Sequence, residues 1–441
     1  MIWLNKVHGV FERGDAGDSF TMFFTSKRIE DPGYTISFVH SHMKTTKIEE
    51  DFNMSKLVQP HGGKLTPVLL PESERAAALA KAKTLPVIRM TSRETSDLLM
   101  IGMGAFSPLT GYMDKANYES VVETKHLTNG LAWPLPITLS VTEEQAEALT
   151  IGMEVALVDD ETDTYCGILT VNDKYTYDKV KECKAVFFTD DAAHDGVIKV
   201  MAQGNINVGG SLVTFSQLGY ATKYGDYYAT PAQTRALFDE KGWATVAAFQ
   251  TRNPLHRSHE FLCKMGNEVC DGLFIHPIVG KLKEGDIPAE TRLECYEVLL
   301  KNYFNEKNAV MKVYPMEMRY AGPSEAILHS IFRQNFGCSH ILVGRDHAGV
   351  GDYYTAYQAQ EIFDTFKPGE LLCQPIKVTA AMHCSKCDGM TTEKTCPHGK
   401  EEHLKISGTK LRAMLANGEV PPSNFSRPEV LQILLKYYAA K

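Results

Sequence analysis

The chain has 441 residues, which corresponds to about three domains of ordinary size. Hydrophobic residues make up 44% of the chain and charged residues 23%, values that argue against a disordered, collagen-like or coiled-coil protein. The net charge is −8, whereas nucleic-acid binders are normally basic, and no apolar run approaches the roughly 18 residues that span a bilayer. We therefore expect neither a nucleic acid nor a membrane as partner.

The ten cysteines are too few for a disulfide scaffold. Seven of them are scattered along the chain, as reduced or buried thiols often are, and the other three lie between positions 384 and 396. This distribution favours a cytoplasmic protein with one local metal site over a protein of the oxidised exterior.

Residues 1–53 are interpreted as an N-terminal extension of unknown role. They do not contain a charged region, an apolar core and a small-residue cleavage site in succession, so they do not match a signal peptide. The run over residues 19–25 predicts one strand. One interpretation is that translation starts at Met54.

Residues 54–220 form the first predicted domain. Helices are predicted over residues 72–83 and 91–99, and a segment rich in turn-forming residues follows over 102–113. Short apolar or alternating runs separated by Gly, Asp and Asn predict strands over residues 133–141, 154–159, 165–171, 185–189 and 198–202. This rhythm indicates a small β-barrel or sandwich.

Residues 221–378 alternate between strand and helix patterns. Thr230 caps a predicted helix over 230–241, which has Pro231 at its start. Strands are predicted over residues 245–249, 273–279, 309–314 and 341–343, and helices over residues 256–267, 289–302 and 324–335. This alternation predicts an α/β domain with a parallel sheet and right-handed crossovers. Residues 379–441 form a small C-terminal domain, with helices predicted over 409–417 and 427–438.

A polar cluster follows the first strand of the α/β region. Gln250, Arg252 and Asn253 precede the predicted helix, and His256 and His259 share one face of its first turn. In an open α/β sheet, ligands bind beyond the carboxyl ends of the strands, where a helix N-terminus favours anions. Taken alone, the histidine pair is most simply a surface or core pair. The preceding strand and the flanking Arg, Gln and Asn instead favour a phosphate site.

A second cluster occupies residues 344–352, directly after the predicted strand over 341–343. Its glycines allow the backbone to approach a ligand, and Arg345 and His347 add hydrogen-bond donors. A glycine-rich segment after a strand is often only a turn. Its position at the same edge of the sheet as the first cluster favours a shared ligand.

A third element covers residues 406–412. Ser407 or Thr409 can cap the helix that follows, and Lys410 and Arg412 allow a further phosphate contact. The P-loop pattern G-x-x-x-x-G-K-[ST] does not occur in the sequence, which disfavours P-loop kinase and ATPase chemistry.

The clustered cysteines have the spacing of a zinc site. Cys384, Cys387, Cys396 and His398 form a Cys₃His set, and His403 competes with His398 as the fourth ligand. Three free thiols are the simplest alternative, and a redox C-x-x-C is disfavoured because no thioredoxin-like pattern surrounds it. We expect a structural Zn²⁺ because all four ligand positions are filled.

These motifs together resemble the ATP-sulfurylase family. Residues 250–259, Gln-Thr-Arg-Asn-Pro-x-His-x-x-His, match its active-site motif, and residues 344–349, Gly-Arg-Asp-His-Ala-Gly, match its second nucleotide-site motif. Residues 106–111 and 318–323 are similar to further segments of the family. The similarity covers residues 55–441.

The resemblance implies a PUA-like N-terminal β domain, a Rossmann-like nucleotidyltransferase domain and a small zinc-bearing C-terminal domain. It also implies the reversible reaction of ATP with sulfate, which gives adenosine 5′-phosphosulfate and pyrophosphate in sulfate assimilation. The expected metal ions are Mg²⁺, which accompanies ATP, and the structural Zn²⁺. A homodimer is a further expectation from the family.

The resemblance also assigns roles residue by residue. Gln250, Arg252 and the backbone N–H of Ala348 are expected to bind sulfate, and Thr251, Arg252 and Asn253 form the catalytic stretch. The residues expected to contact ATP or its phosphates are Gln250, Arg252, His256, His259, Gly344, Arg345, Asp346 and His347. Since sulfate is already a dianion at neutral pH, it needs no general base, and we expect in-line attack on the α-phosphate without a covalent intermediate.

Two other functions compete with this interpretation. One is a nucleotidyltransferase of the cytidylyl or pantetheine type, but such enzymes have His-x-Gly-His where this chain has Arg257 and Ser258 between the histidines. The other is an RNA-binding module, which a PUA-like domain and a zinc knuckle would suit. The net charge of −8 and the lack of a basic-aromatic stripe disfavour it.

Overall fold

The computed structural model describes residues 5–12, 19–26, 55–281, 286–404 and 408–440. The chain divides into two compact units, Met1–Met54 and Ser55–Lys441. In the first unit, strands β1 (Asn5–Glu12) and β2 (Ser19–Ser26) form an antiparallel hairpin. The strand predicted over residues 19–25 is therefore confirmed.

One mixed sheet forms the centre of the first half of the second unit. Its strands are β3 (Val87–Met90), β4 (Gly111–Tyr112), β5 (Ser140–Val141), β6 (Glu154–Asp159), β7 (Thr164–Thr176) and β8 (Ile206–Thr214). They lie in the order β3-β6-β7-β8-β4, and β5 also pairs with β8. β3 and β6 run parallel, whereas the other pairs are antiparallel. The predicted β-rich domain is confirmed.

Helices cover this sheet and connect its strands. They are α1 (Glu72–Ala82), α2 (Ser92–Gly102), α3 (Lys115–Thr124), α4 (Glu143–Ala148), α5 (Lys179–Phe187), α6 (Asp195–Met201) and α7 (Tyr220–Tyr224). A capping box begins α2, since the side chains of Thr91 and Glu94 each accept a hydrogen bond from the other's backbone N–H. The helices predicted over residues 72–83 and 91–99 are confirmed.

Two predicted strands of this half are helices in the structure. Residues 185–189 overlap the end of α5, and residues 198–202 overlap α6. In α6, Val197 and Val200 are buried whereas Ile198 is exposed. This three-residue spacing is that of a helix, and so short an apolar run does not reveal its period in the sequence.

The strand predicted over residues 133–141 is only partly present. Its paired part is β5, which covers two residues. Pro134 and Pro136 lack the backbone N–H groups that a strand ladder requires, so the buried residues before β5 do not form a regular strand. β8 was not predicted, because its two adjacent glycines indicate a turn.

A five-stranded parallel sheet forms the centre of the second half. Its strands are β9 (Val246–Phe249), β10 (Gly272–Ile275), β11 (Ala309–Met311), β12 (His340–Val343) and β13 (Gln374–Lys377). They lie in the order β11-β10-β9-β12-β13, so the direction of winding reverses between β9 and β12. β13 was not predicted because it contains Pro375, which the edge of a sheet tolerates.

The helices predicted around this sheet are confirmed. They are α8 (Pro231–Glu240), α9 (Arg257–Val269), α10 (Ala289–Tyr303) and α11 (Pro323–Phe336), to which the structure adds the short α12 (Gln358–Glu361). α8 begins as the sequence indicates, because Thr230 and Gln233 form a capping box and Pro231 occupies the first helical position. The α/β architecture therefore follows the predicted alternation.

The C-terminal region combines a small sheet with two helices. Its elements are β14 (Ala381–Cys384), β15 (Gly389–Thr392), β16 (His403–Leu404), α13 (Gly408–Ala416) and α14 (Pro428–Ala439). The strands are antiparallel and lie in the order β15-β14-β16. Both helices were predicted. Within the described ranges, no helix is both long and apolar enough to cross a membrane.

Buried polar contacts connect the two halves of the second unit. Nη2 of Arg319 donates to both carboxylate oxygens of Asp97 at 2.6 Å, and both residues are buried. The side-chain amide of Asn335, on α11, donates to the backbone oxygens of Ala105 and Ser107 at 2.8 and 3.0 Å. Leaving a buried charge unpaired costs about 3–5 kcal/mol, so the Arg319–Asp97 pair strongly favours this arrangement of the two halves. The amide contacts of Asn335 add to it.

Candidate active site

A cleft opens at the carboxyl ends of β9 and β12, where the winding of the parallel sheet reverses. Open α/β sheets bind their ligands at this position. The cleft has a volume of about 380 Å³, which is within the usual range for a small-molecule site. Its lining residues are Arg252, Asn253, Asp286, Gly322, Pro323, Asp346, His347, Gly349, Val350, Gly351, Tyr354, Thr355, Ala359 and Arg412.

Arg252 is held on two sides within the cleft. Its Nη1 donates to Oδ2 of Asp286 at 2.8 Å, and its guanidinium lies over the ring of Tyr320, 5.3 Å from the ring centroid. The side chains of Arg252 and Asp286 are 27% and 12% exposed. A guanidinium has five N–H donors in a fixed fork, so this arrangement leaves donors with a defined orientation for an oxyanion.

Two tyrosines fix the turn that follows β9. The hydroxyl of Tyr314 donates to Oε1 of Gln250 at 2.8 Å, and the hydroxyl of Tyr296 donates to the backbone oxygen of Asn253 at 2.6 Å. The hydroxyl of Thr251 accepts from the backbone N–H of Asn253 at 3.0 Å. Thr251 is buried and Gln250 is bonded to a tyrosine, so Asn253 is the member of the three that faces the cleft.

His256 and His259 stand at the start of α9, as predicted, but they are not among the residues that line the cleft. The backbone N–H of His256 donates to Nδ1 of His259 at 3.1 Å, and Nδ1 of His256 lies 3.1 Å from Oγ of Ser426. The ring of Phe425 covers His256 at a centroid distance of 4.6 Å. Burial lowers the pKa of His256 to about 3 and that of His259 to about 4, so both imidazoles are neutral at physiological pH.

The loop after β12 has an unusual backbone where it meets the cleft. Asp346 and Ala348 have φ angles of 54° and 55°, in the left-handed region that residues other than glycine seldom occupy. Tertiary hydrogen bonds hold this conformation. The N–H of Asp346 donates to the oxygen of Ala356 at 2.8 Å, and the oxygen of Ala348 accepts from Gly322 at 3.0 Å. Strain of this kind is concentrated at ligand sites.

Gly322 joins a second segment to this loop, and the position requires a glycine. Its φ is 49°, and a Cβ there would lie 2.7 Å from the ring of Tyr354. The segment that contains Arg319 and Gly322 therefore approaches the cleft closely. This explains the structural need for a glycine at position 322, directly before α11.

The structure brings together four of the predicted contact residues. Arg252, Asn253, Asp346 and His347 line the cleft, as does Arg412, the candidate for a further phosphate contact. In the part of the chain that the structure describes, the cleft lining does not include Gln250, Thr251, His256, His259, Gly344, Arg345 or Ala348. Arg345 is exposed and pairs with Asp346 at 3.1 Å, Nε to Oδ2.

Asp286 and Tyr354 also line the cleft, although neither is among the contact residues predicted from the sequence. Asp286 is 34 positions from its partner Arg252, and no local pattern marks it. Tyr354 stands just beyond the glycine-rich loop over residues 344–352. A predicted segment that continued to residue 354 would have included this tyrosine.

Four of the five candidate metal ligands converge at the C-terminal sheet. The ligand atoms of Cys384, Cys387, Cys396 and His398 all lie within 4.8 Å of one another. Nδ1 of His398 is 3.4, 3.3 and 3.8 Å from the three sulfur atoms in that order, and the sulfur atoms of Cys387 and Cys396 are 3.8 Å apart. Tetrahedral Zn²⁺ with ordinary bond lengths requires edges of roughly 3.5–3.8 Å, so this donor set fits the ion.

His403 has a different position from these four residues. Its Nε2 lies 3.2 Å from the sulfur of Cys396, and it is not a member of the cluster. An imidazole N–H at this distance can donate to a ligand thiolate and orient it. The geometry therefore favours His398 over His403 as the fourth ligand, a choice that the sequence spacing left open.

The parallel sheet, the helix N-terminus beside β9 and the glycine-bearing loop after β12 define an α/β nucleotide-binding enzyme of the nucleotidyltransferase class. Comparisons with known proteins agree. Residues 58–217 match the family model described as a PUA-like domain, and residues 225–437 match the model described as ATP-sulfurylase.

Relatives with curated names cover most of the chain. A sulfate adenylyltransferase from Desulforamulus reducens is 72% identical over 382 residues, which is 87% of this chain and 98% of that protein. One from Chlorobaculum tepidum is 53% identical over 385 residues, 87% of this chain and 95% of that protein. The chain belongs to the ATP-sulfurylase family.

A solved structure has a similar fold over most of the chain. A hexameric APS kinase from Thiobacillus denitrificans superposes with a TM-score of 0.66 and 25% sequence identity, covering 86% of this chain and 68% of that one. Together with the family membership, this confirms the expected PUA-like domain and α/β nucleotide-binding domain. The RNA-binding module considered from the sequence is not supported.

Proposed function

We propose that the protein is a sulfate adenylyltransferase that transfers the adenylyl group of MgATP to sulfate and releases pyrophosphate. The observation that carries the proposal is the position of Arg252, whose guanidinium is fixed between Asp286 and Tyr320 in a cleft at the switch point of the parallel sheet. An arginine in this position suits a tetrahedral oxyanion. The names of the relatives support sulfate as that anion.

The reaction needs two anions to meet without a covalent intermediate. An oxygen of sulfate attacks the α-phosphorus, a P–O–S bond forms, and the bond from the α-phosphorus to the pyrophosphate oxygen breaks. Sulfate is already deprotonated at neutral pH, so no side chain has to remove a proton. Arg252 and Asn253 would orient sulfate and the α-phosphate, with the backbone after β12 close by. Mg²⁺ enters the cleft with ATP as part of the substrate.

The other predicted contacts remain part of this proposal. Gln250 and the backbone N–H of Ala348 would bind sulfate together with Arg252, and Thr251 would hold the catalytic turn in shape. His256 and His259 are neutral, and Phe425 covers His256, so the two imidazoles would support the phosphates as uncharged hydrogen-bond donors once Phe425 shifts. Gly344, Arg345, Asp346 and His347 would contact the nucleotide.

Replacement of Arg252 tests the proposal. With molybdate in place of sulfate, the native protein should convert ATP to AMP and pyrophosphate, because the mixed anhydride hydrolyses. Arg252→Ala should lower kcat at least 100-fold without changing the thermal midpoint by more than a few degrees. Arg89→Ala, which removes an exposed arginine, is the matched control and should remain fully active. Native protein without this activity, or active Arg252→Ala, would contradict the proposal.

We further propose that the C-terminal cluster binds one structural Zn²⁺ through Cys384, Cys387, Cys396 and His398. The convergence of the four ligand atoms supports it, as do the distances of 3.3–3.8 Å from Nδ1 of His398 to the three sulfur atoms. Elemental analysis should find about one zinc per chain in the native protein, and His398→Ala should lose most of it. His403→Ala is the matched control and should retain zinc, because His403 contacts a ligand sulfur only. Equal zinc loss in both variants would contradict this ligand set.

A further inference from the structure

A chain of three side chains leads from the buried face of α11 to the cleft. Glu325 and His329 are fully buried on α11, one turn apart, and His347 lines the cleft. Nδ1 of His329 lies 3.0 Å from Nε2 of His347. On its other edge, Nε2 of His329 faces Oε1 of Glu325 at 3.5 Å, which is long for a hydrogen bond, and it has no closer partner. None of the roles proposed above uses Glu325 or His329.

The environment of Glu325 keeps it a carboxylate. Its Oε1 accepts from the backbone N–H of Arg319 at 3.0 Å, and its Oε2 accepts from the backbone N–H of Ala321 at 3.1 Å. A carboxyl group that accepts two backbone hydrogen bonds is stabilised in its charged form. Although burial opposes ionisation, hydrogen bonding from His329 and from the backbone of Arg319 lowers the pKa of Glu325.

An ionised Glu325 determines where the protons of both histidines lie. A lone pair on Nε2 of His329 would repel the carboxylate in a fully buried site, so Nε2 carries the proton. Burial lowers the pKa of His329 and also that of His347, so both rings are neutral. Nδ1 of neutral His329 is then an acceptor, and Nε2 of His347 must donate to it. Nδ1 of His347 is the ring nitrogen left for a ligand, and it is an acceptor.

We propose that Glu325 and His329 are positioning residues that hold His347 in its Nε2-protonated form, so that His347 accepts a hydrogen bond from an N–H or O–H group of the bound nucleotide. This inference rests on the proposed function, because it assumes that ATP occupies the cleft. Phosphate oxygens of ATP carry no proton at neutral pH and cannot donate to Nδ1. The partner is therefore the 6-amino group of adenine or a ribose hydroxyl, and His347 selects the nucleoside rather than holding phosphate.

The first measurement reads the tautomer directly and needs no activity. Long-range ¹H–¹⁵N NMR of protein labelled in histidine, with the His347 signals identified by their absence in His347→Gln, should show Nε2 protonated and Nδ1 free of a proton. A neutral Nδ1-protonated His347, or a doubly protonated one, at pH 7.5 would overturn the proposal.

The second measurement uses nucleotide analogues to find the donor. Inosine triphosphate replaces the 6-amino group by a carbonyl, and 2′-deoxy-ATP and 3′-deoxy-ATP each lack one hydroxyl. The native protein should show a KM about tenfold higher for one of the three than for ATP, with little change in kcat, as expected for one lost hydrogen bond. Equal KM values for all four nucleotides would overturn the proposal. Absence of turnover with ATP itself would instead refute the proposed function and leave the NMR result valid.

Two variants of His329 separate positioning from packing. His329→Leu fills the space but offers His347 no acceptor, so the KM for ATP should rise about tenfold. The preference for ATP over the analogue with the raised KM in the native protein should then disappear. His329→Asn places an oxygen near the position of Nδ1 and should restore that preference to within about threefold of the native protein. If His329→Leu keeps the native preference, the proposal fails. If it does not fold, the NMR and analogue measurements on the native protein still decide.

Discussion

Arg252 and Asp286 set the balance of charge at the centre of the cleft. One carboxylate oxygen of Asp286 lies 2.8 Å from Nη1 of Arg252, and Asp286 is largely buried. Asp286 therefore has two opposing effects on an anion bound to Arg252. It fixes the guanidinium in one orientation, and its negative charge repels the anion. Orientation of the guanidinium should mainly affect kcat, whereas repulsion of the anion should mainly affect the KM for sulfate. Steady-state kinetics can therefore separate the two effects.

Asp286→Asn should separate these two effects. The amide keeps an oxygen that can accept from Arg252 but loses the charge. We expect the KM for sulfate to fall about two- to threefold because repulsion is removed, and kcat to fall about tenfold because a neutral hydrogen bond holds the guanidinium less firmly. Steady-state kinetics at saturating MgATP measure both constants. Asp160→Asn, which alters an exposed pair with Arg89 at 3.3 Å, should leave both unchanged. A higher KM with native kcat would contradict this account.

The cleft residues that directly follow a strand could be predicted from the sequence. The contacts that depend on tertiary packing could not. Arg252 and Asp346 could be placed because β9 and β12 end at the same edge of a parallel sheet. The pairing with Asp286 could not be predicted, since it depends on how the segment before α10 folds back. His256 was correctly placed at the start of α9, but its cover by Phe425 comes from a distant part of the chain.

The burial of His256 has a consequence for stability against pH. Its pKa is about 3 in the folded protein, whereas an unfolded chain has an ordinary histidine pKa near 6.5. Between these values the unfolded state binds a proton that the folded state does not, so the free energy of unfolding decreases as the pH falls. The loss attributable to one such imidazole between pH 7.0 and 5.5 is about 1 kcal/mol.

His256→Gln should reduce that pH dependence. The amide does not titrate, so the variant should lose about 1 kcal/mol less than the native protein on going from pH 7.0 to 5.5, whatever its stability at pH 7.0. Urea unfolding at the two pH values gives both differences, and comparing differences removes the cost of the substitution itself. An identical pH dependence in the two proteins would show that the pKa of His256 is the same in the folded and unfolded states.

At the scale of secondary-structure elements, α9 depends on a clamp from the C-terminal region. Glu260 of α9 accepts two hydrogen bonds from Arg427 at 2.8 Å each and one from Lys264 at 2.7 Å. Arg257 donates from its backbone to the oxygen of Phe425 at 3.0 Å. The first turns of α9, which carry the two histidines, are therefore held by the residues that precede α14. This clamp couples the order of the C-terminal region to the geometry beside the cleft.

Breaking the clamp should destabilise the protein and disturb the site together. Arg427→Met keeps the aliphatic stem but leaves Glu260, whose side chain is 5% exposed, with one cationic partner. We expect a loss of about 2 kcal/mol in the free energy of unfolding, together with a several-fold rise in the KM for ATP. Denaturant unfolding and steady-state kinetics measure the two effects. The double variant Glu260→Gln/Arg427→Met should lose less free energy of unfolding than Arg427→Met alone, because no unpaired charge remains. A loss in the double variant equal to the sum of the losses in the two single variants would show that the pair is not coupled.

The elements themselves were predictable where their ends carry chemical signals. α8 has Thr230 and Pro231 at its start, and the structure reproduces both roles. The end of α5 and the second half of α6 were predicted as strands because their apolar runs are too short to reveal a period, and their helical form is decided by packing. β13 was missed because it contains a proline. These errors lie in short, weakly patterned segments, and the long periodic helices of the α/β region were found.

At the scale of the whole molecule, the second compact unit and the family-model match to the β-rich half both begin just after residue 54. The family-model match to the β-rich half begins at residue 58, and the second compact unit begins at Ser55. Ordered contacts begin at once in that unit. Leu57 is buried, the backbone N–H of His61 donates to Oδ1 of Asn335 at 2.8 Å, and Nε2 of His61 lies 2.9 Å from the oxygen of Ala132.

Truncation at two nearby positions should therefore give opposite results. A chain that starts at Met54 should keep kcat and KM within about twofold of the full-length protein, and its thermal midpoint within about 2 °C. A chain that starts at Leu65 loses Leu57 and both contacts of His61, and its midpoint should fall by about 5 °C. Calorimetry and the molybdate assay on the two truncated chains measure this. Loss of folding or activity in the chain that starts at Met54 would show that residues 1–53 belong to the functional enzyme. An unchanged midpoint in the shorter chain would show that the contacts of Leu57 and His61 do not hold the two halves together.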